Sequence, residues 1–355
     1  MLRIAGMGGT RIAMFTDDAG IFGNPASLVS VKDHNLALGI AADDIHWTEL
    51  PKHGTTQFVA EANINLSPAL YYSSAFSSKW GMSVGYAARS TNFANFTFDR
   101  THAEYNRNSR QFTATTDLFT DYNLLQEGSW ITGFSRAFGK STAGARLKWV
   151  RQAVDRGTMI STLNLAARHG PEVDVEAPEE LIEAIIDELQ FGDRVREIVH
   201  ERQPTLERTV SRLELDIGFQ REVWFDAAQI NPPLQVGILF ENVLRADLVE
   251  PLPFRFGIGV AYEPLRWVTM ATDLWRDTGQ KGISFAIGGE FHKTWAGIVP
   301  KTVALRVGTG RANSEFYSSI GVGLRLGTTY LEYTTSIENF TYDANKHLFA
   351  FTLRF

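Results

Sequence analysis

The chain contains no cysteine among its 355 residues. Disulfide frameworks and thiolate metal sites are therefore excluded. It has no run of about 18 apolar residues, so it encodes no transmembrane helix. It has no lysine- or arginine-rich run, and its net charge is −6, which gives no footprint for nucleic acid. The eight histidines are scattered, with no HExxH or other close ligand spacing. "GMGGTR" is not a GxGxxG loop, because its sixth position is Arg11, and no GxSxG occurs. These absences leave no catalytic residue, metal ligand or cofactor to nominate. A Ser/His/Asp group converging at a rim stays open as an alternative. Residues 1–15 lack the apolar core of a signal peptide, which we read as an exported chain in its mature form.

What is present is glycine, at 30 residues, aromatics, at 12%, and a period of two. In "PFRFGIGVAYE" Phe254, Phe256, Ile258, Val260 and Tyr262 oppose Arg255, Gly257, Gly259, Ala261 and Glu263. "SRLELDIGFQ", "ISFAIGGEF", "SIGVGLRLG" and "MSVGYAAR" alternate in the same way. Such runs are strands with one apolar and one polar face. The pattern predicts about 14 strands, at 35–45, 66–76, 80–90, 128–138, 141–152, 208–221, 233–243, 253–263, 266–276, 281–292, 300–309, 315–326, 328–338 and 345–355. Each has the length that crosses a bilayer when tilted. Tight turns at Ser77–Lys79, Gly139–Lys140, Pro264–Leu265 and Gly327 mostly alternate with longer connections at 46–65, 91–127 and 153–207.

Alternation alone does not say which face is outside. A soluble barrel would turn the apolar side inward. Two features argue for the opposite. The polar face combines glycine with charges of both signs: Arg89, Arg146, Arg212, Glu214, Asp216, Glu241, Arg255, Glu263, Asp273, Glu290, Arg306, Arg325, Glu332 and Arg354. A barrel this wide also cannot be filled by its own apolar side chains. Of these charges, Arg212, Glu214, Asp216, Arg255, Glu263, Glu290, Arg306 and Arg325 are the candidate lumen groups. Trp80, Trp130, Trp149, Trp267, Trp275, Tyr262, Tyr330 and Tyr333 fall near strand ends, where an interfacial girdle would lie.

Three segments fall outside the wall pattern. In "DDAGIFGNPASLVS" Asn24 is a good N-cap and Pro25 suits the first helical position. Residues 177–201 read as a helix in the long loop 153–207, with Ile182, Ile185, Ile186 and Leu189 as its apolar stripe. It either caps the rim or forms a lid or dock. Segment 91–127 reads as an ordered loop that folds inward.

"GMGG…DDAGIFGNPASL" resembles the N-terminal motif of the FadL-type outer-membrane barrel superfamily. That group includes long-chain fatty acid transporters and the PorV family of a secretion system. "LQVGILFENV", "TMATDLW", "FAIGGEF", "VALRVGTG", "SSIGVGLRL" and "LEYTTS" follow in the family's order. The resemblance implies an all-β fold: a 14-stranded antiparallel transmembrane β-barrel with an intraluminal hatch at 1–33, the barrel at 34–355, and a helical loop insert. Matched by motif, the hatch residues are Gly6, Gly8, Gly9, Asp17, Asp18, Asn24, Pro25 and Ala26. The implied location is the outer membrane, in contact with its lipid. The implied function is passive uptake of hydrophobic small molecules such as fatty acids, which leave through the wall. The alternative is a PorV-like barrel that binds a secretion-system or surface protein. Phe22-Gly23 and Ser27 depart from the motif.

Overall fold

The computed structural model describes residues 2–14, 21–31, 33–43, 59–106, 111–168, 195–224, 232–245, 248–280, 282–296, 301–312, 315–338 and 345–355. A short helix, α1 (Leu2–Gly6), and a 3-10 turn, Pro25–Ser30, precede the wall. The wall begins with β1 (Asn35–Asp43), β2 (Val59–Ser77), β3 (Trp80–Asn106), β4 (Gln111–Phe138), β5 (Ser141–Arg168) and β6 (Val195–Val223). It continues with β7 (Leu234–Glu241), β8 (Arg255–Leu265), β9 (Val268–Asp277) and β10 (Ser284–Trp295). It ends with β11 (Lys301–Ala312), β12 (Glu315–Leu326), β13 (Thr329–Glu338) and β14 (Asn345–Arg354). Each strand pairs antiparallel with its sequence neighbours, and β1 pairs with β14, so the sheet closes into a 14-stranded barrel.

Closure leaves no free edge at the seam. His34 and Phe355 exchange two backbone hydrogen bonds of 3.0 Å there. Both ends of the wall therefore lie at the rim of tight turns. Gly139 and Gly327 take φ of 63° and 59° in those turns, a left-handed conformation that glycine adopts without steric penalty.

Side-chain exposure decides which face is out. Leu38 is 48% exposed and Ala37 beside it 1%. Trp130 and Trp149 are each 61% exposed, whereas Arg306 is 1% and Glu214 is 0%. The apolar face points outward and the charges inward. In water this would be ruinous; in a bilayer it is the low-energy arrangement, because all backbone groups pair within a closed sheet. The chain is a membrane-spanning barrel of the outer-membrane type.

Three expectations are corrected. Residues 91–106 and 111–127 are not loop: they continue β3 and β4, paired from Thr91↔Leu125 to Asn106↔Gln111 with one register shift between Asp99 and Thr101. Their Thr, Phe and Tyr content suits a pleated ladder. The expected helix at 177–201 fails at its C-terminal end, where residues 195–201 open β6 and Val199 faces Thr162 of β5. β-branched Val195, Ile198 and Val199 gain a cross-strand partner there that an isolated helix would not offer. Ile182, Ile185, Ile186 and Leu189 lie outside the described residues. As a result β2–β6 run 19 to 29 residues, far longer than a crossing needs, and rise above the rest of the wall. Trp275 and Tyr330, expected in the girdle, face the lumen instead; Tyr330 accepts a hydrogen bond from buried Arg306.

Candidate functional site

The lumen is occupied by the chain's own N-terminal segment. It enters along β11–β14, where the Gly8 amide donates to Ser319 Oγ (3.0 Å) and the Tyr317 hydroxyl to the Gly8 carbonyl (2.8 Å). Next, the amides of Arg11 and Ile12 both donate to Asp273 Oδ2, at 2.6 and 2.9 Å. Asn24 then holds the segment to β6 and β7. Its Nδ2 donates to the carbonyls of Ile12 (2.8 Å), Phe219 (3.2 Å) and Ile238 (3.1 Å). Its Oδ1 caps the 3-10 turn by accepting from the Ala26 amide at 3.0 Å. Ile21 packs with Ala37, Tyr71 and Ile131. The segment thus sweeps the inside of the wall from β12 round to β2.

The wall makes room for it with glycine. A Cβ at Gly308 or Gly288 would strike the Met7–Gly8 backbone, and one at Gly237 the Ile12 carbonyl. A Cβ at Gly218 would strike the Asn24 amide, one at Gly144 Pro25, and one at Gly81 the Leu28 carbonyl. These positions form a track around the lumen in which main chain lies directly on main chain. That geometry is why the polar face carries so much glycine.

Two buried ion clusters fasten the same segment. In the first, Arg146 bonds Asp216 through Nε (2.6 Å) and donates to the Ile21 carbonyl, while Lys148 reaches Asp216 at 2.8 Å. Glu241 accepts from Arg11 at 2.5 Å and Arg255 at 3.3 Å, and Arg255 grips Asp277. In the second, Arg306 bonds Glu290 and Glu332, both at 2.6 Å, and the Tyr330 hydroxyl at 2.7 Å. Arg3 of the segment joins Glu290 at 2.8 Å. Pairing on this scale is required, because an unpaired charge in so dry a place would be costly.

A second element folds inward. After β7 the chain turns across β5 and β6, where Leu248 packs with Val150 and Val210. The Glu250 amide donates to Gln152 Oε1 (3.0 Å), and its carboxylate pairs with Arg156 (2.5 Å). On the other side of the lumen, between the N-terminal segment and β8, β9 and β12, lies a cavity of about 490 Å³, lined in part by Ile4, Arg11, Ile12, Asp273, Trp275 and Tyr317.

Of the residues expected at the site, Gly8, Gly9, Asn24, Pro25 and Ala26 lie in the luminal segment, and Gly6 ends α1 before it. Asp17 and Asp18 lie outside the described residues. Glu214, Asp216, Arg255, Glu290 and Arg306 are on the lumen face. Arg212 is exposed and bonds the Ser211 carbonyl, Glu263 is exposed, and Arg325 bonds the Gly327 carbonyl at the turn rim. The contacts that fasten the segment also use Arg3, Arg11 and Tyr317, which were not named beforehand, and Arg146, Asp273 and Glu241, named as polar-face charges but not among the candidate lumen groups. Arg146, Asp273 and Glu241 share the polar face, so alternation contained them; Arg3 and Arg11 carry no periodic signal.

No family model and no curated protein matches the chain. Solved structures do. The Pseudomonas putida toluene transporter TodX superposes with a TM-score of 0.59 at 13% identity, covering 100% of this chain and 98% of that one. The Ralstonia pickettii toluene transporter TbuX gives 0.57 at 13%, with the same coverage. The monoaromatic hydrocarbon channel CymD gives 0.52 at 12%, covering 100% and 97%.

The fold is that of the toluene transporters TodX and TbuX.

The likeness covers 100% of this chain and 98% of each transporter, so the shared fold takes in all 14 strands. At these identities it concerns architecture alone.

Proposed function

We propose that this barrel passes small hydrophobic molecules across the outer membrane, with residues 1–33 as the hatch. The observation that carries the reading is the luminal segment. A pore for water-soluble solutes needs an open, wet lumen. Here the backbone of the N-terminal segment lies directly on β3, β5, β7, β8, β10 and β11. The toluene transporters of the same fold support a hydrophobic cargo. The lateral exit would lie beside β7. That strand has eight residues, fewer than the 9–11 or so that a crossing takes. Its ladder with β6 ends at Ile217↔Phe240, and the chain after it folds inward, with Leu248, Val249 and Leu252 against Val150 of β5 and Val210 of β6.

The test is uptake into vesicles that carry the purified barrel. Toluene should enter faster than through protein-free vesicles, and glucose should not. No excess of toluene over protein-free vesicles refutes the reading. A second reading, a PorV-like protein-binding barrel, draws on the tall wall of β2–β6. A protein copurifying at one-to-one stoichiometry from native membranes would favour it.

A further inference from the structure

The outer surface of the wall carries a recess that transport does not explain. Tyr86, Trp130, Trp149 and Leu213 lie side by side across β3, β4, β5 and β6. The Tyr86 and Trp130 rings are 5.0 Å apart, and both tryptophans point outward. The next outward row toward the loop rim is Ala88, Gly128, Arg151 and Ser211. Small side chains there leave a groove of about 740 Å³ above the aromatics, also lined by Ser90, Gln126 and Ala153. Counted from the tight turns, the row lies where a tilted strand leaves the hydrocarbon. The aromatics mark that boundary.

Arg151 is exposed on this outer face and makes no ion pair among the described residues; Glu127, which also borders the recess, accepts a hydrogen bond from buried Gln152 at 2.8 Å. A guanidinium at the edge of a bilayer is poorly placed unless something anionic meets it. Its planar fork matches a phosphate in bidentate fashion. The groove supplies hydroxyl and amide groups on either side and aromatic surface beneath. We propose that this groove binds one anionic phospholipid, with its phosphate on Arg151 and its acyl chains along Trp130 and Trp149. The site is separate from the lumen and does not depend on what the barrel carries.

The test uses the full-length barrel in a mild nonionic detergent, titrated by native mass spectrometry. The probes are phosphatidylglycerol and phosphatidylcholine of equal acyl length. The wild type should bind phosphatidylglycerol about tenfold more tightly, as one charge-assisted contact would give, a difference of about 1.4 kcal/mol. Arg151→Gln should remove that preference, weakening phosphatidylglycerol more than phosphatidylcholine, whose phosphate is already offset by its own choline cation. Trp149→Ala should weaken both lipids alike. Arg136→Gln at the opposite rim, where the guanidinium sits 4.9 Å from the Trp80 ring, should change neither. Equal binding of the two lipids by the wild type overturns the proposal. So does a preference that survives Arg151→Gln, or one that Arg136→Gln abolishes equally.

Discussion

Substitution of Asn24 by alanine separates a hatch from a structural plug. The Asn24 side chain is fully buried and makes four hydrogen bonds. One caps the 3-10 turn, and losing such a cap costs about 0.5–2 kcal/mol. Two reach the wall carbonyls of Phe219 and Ile238, each worth about 1 kcal/mol. The fourth is partly replaced, because Gln220 Nε2 also donates to the Ile12 carbonyl at 2.9 Å. The sum is about 3 kcal/mol, so a state with the segment off the wall should gain roughly 100-fold in population. None of these bonds joins one strand to the next. The barrel should therefore still assemble, keep the heat-dependent gel migration of a folded barrel and expose the segment to protease. Toluene entry should rise severalfold over the wild type. If Asn24→Ala yields no assembled barrel, the segment is part of the folding core and the hatch reading is wrong. If barrel, protease pattern and uptake are all unchanged, the hydrogen-bond reckoning is wrong.

Three further outcomes follow from the same geometry. Gly288→Leu puts a side chain into the Met7 carbonyl and should expel the first part of the segment at a cost of about 1–3 kcal/mol, read as protease cleavage near residue 7 in an intact barrel. Arg306→Met leaves Glu290 and Glu332 buried without their shared partner and should destabilise the barrel by about 3–5 kcal/mol in urea titration. Adding Glu290→Gln and Glu332→Gln should recover most of that loss. Arg11→Gln cuts the 2.5 Å link to Glu241, yet the Asp273 bonds to the backbone remain, so it should loosen the segment less than Asn24→Ala in the same protease assay.

The wall was legible in the sequence because a strand needs only a period of two. β7–β14 fall within about three residues of the alternating runs. The upper halves of β2–β6 were missed because they stand outside the lipid. There no face must be apolar, so the alternation that marks a strand disappears, and Thr-rich segments such as 91–127 read as loops. The cap at Asn24 and Pro25 was plain, since it is local chemistry. What fastens it was not. Arg11 meets Glu241 across 230 residues of sequence, and Gly8 meets Ser319 across 311. The glycines of the track were visible as a composition, but their purpose appears only when main chain is seen lying on them.

The central claim is that the luminal segment must leave the wall for cargo to pass. The absence of cysteine makes this directly testable. A Cβ on Gly257 would lie 2.5 Å from Ile12 Cδ1, so Ile12→Cys with Gly257→Cys can tie the segment to β8. Uptake of toluene should fall to the rate of protein-free vesicles in the oxidised double variant and return on addition of dithiothreitol, while each single variant is indifferent to redox state. Equal uptake by the oxidised and reduced forms, with the cross-link verified by mass spectrometry, would contradict the account.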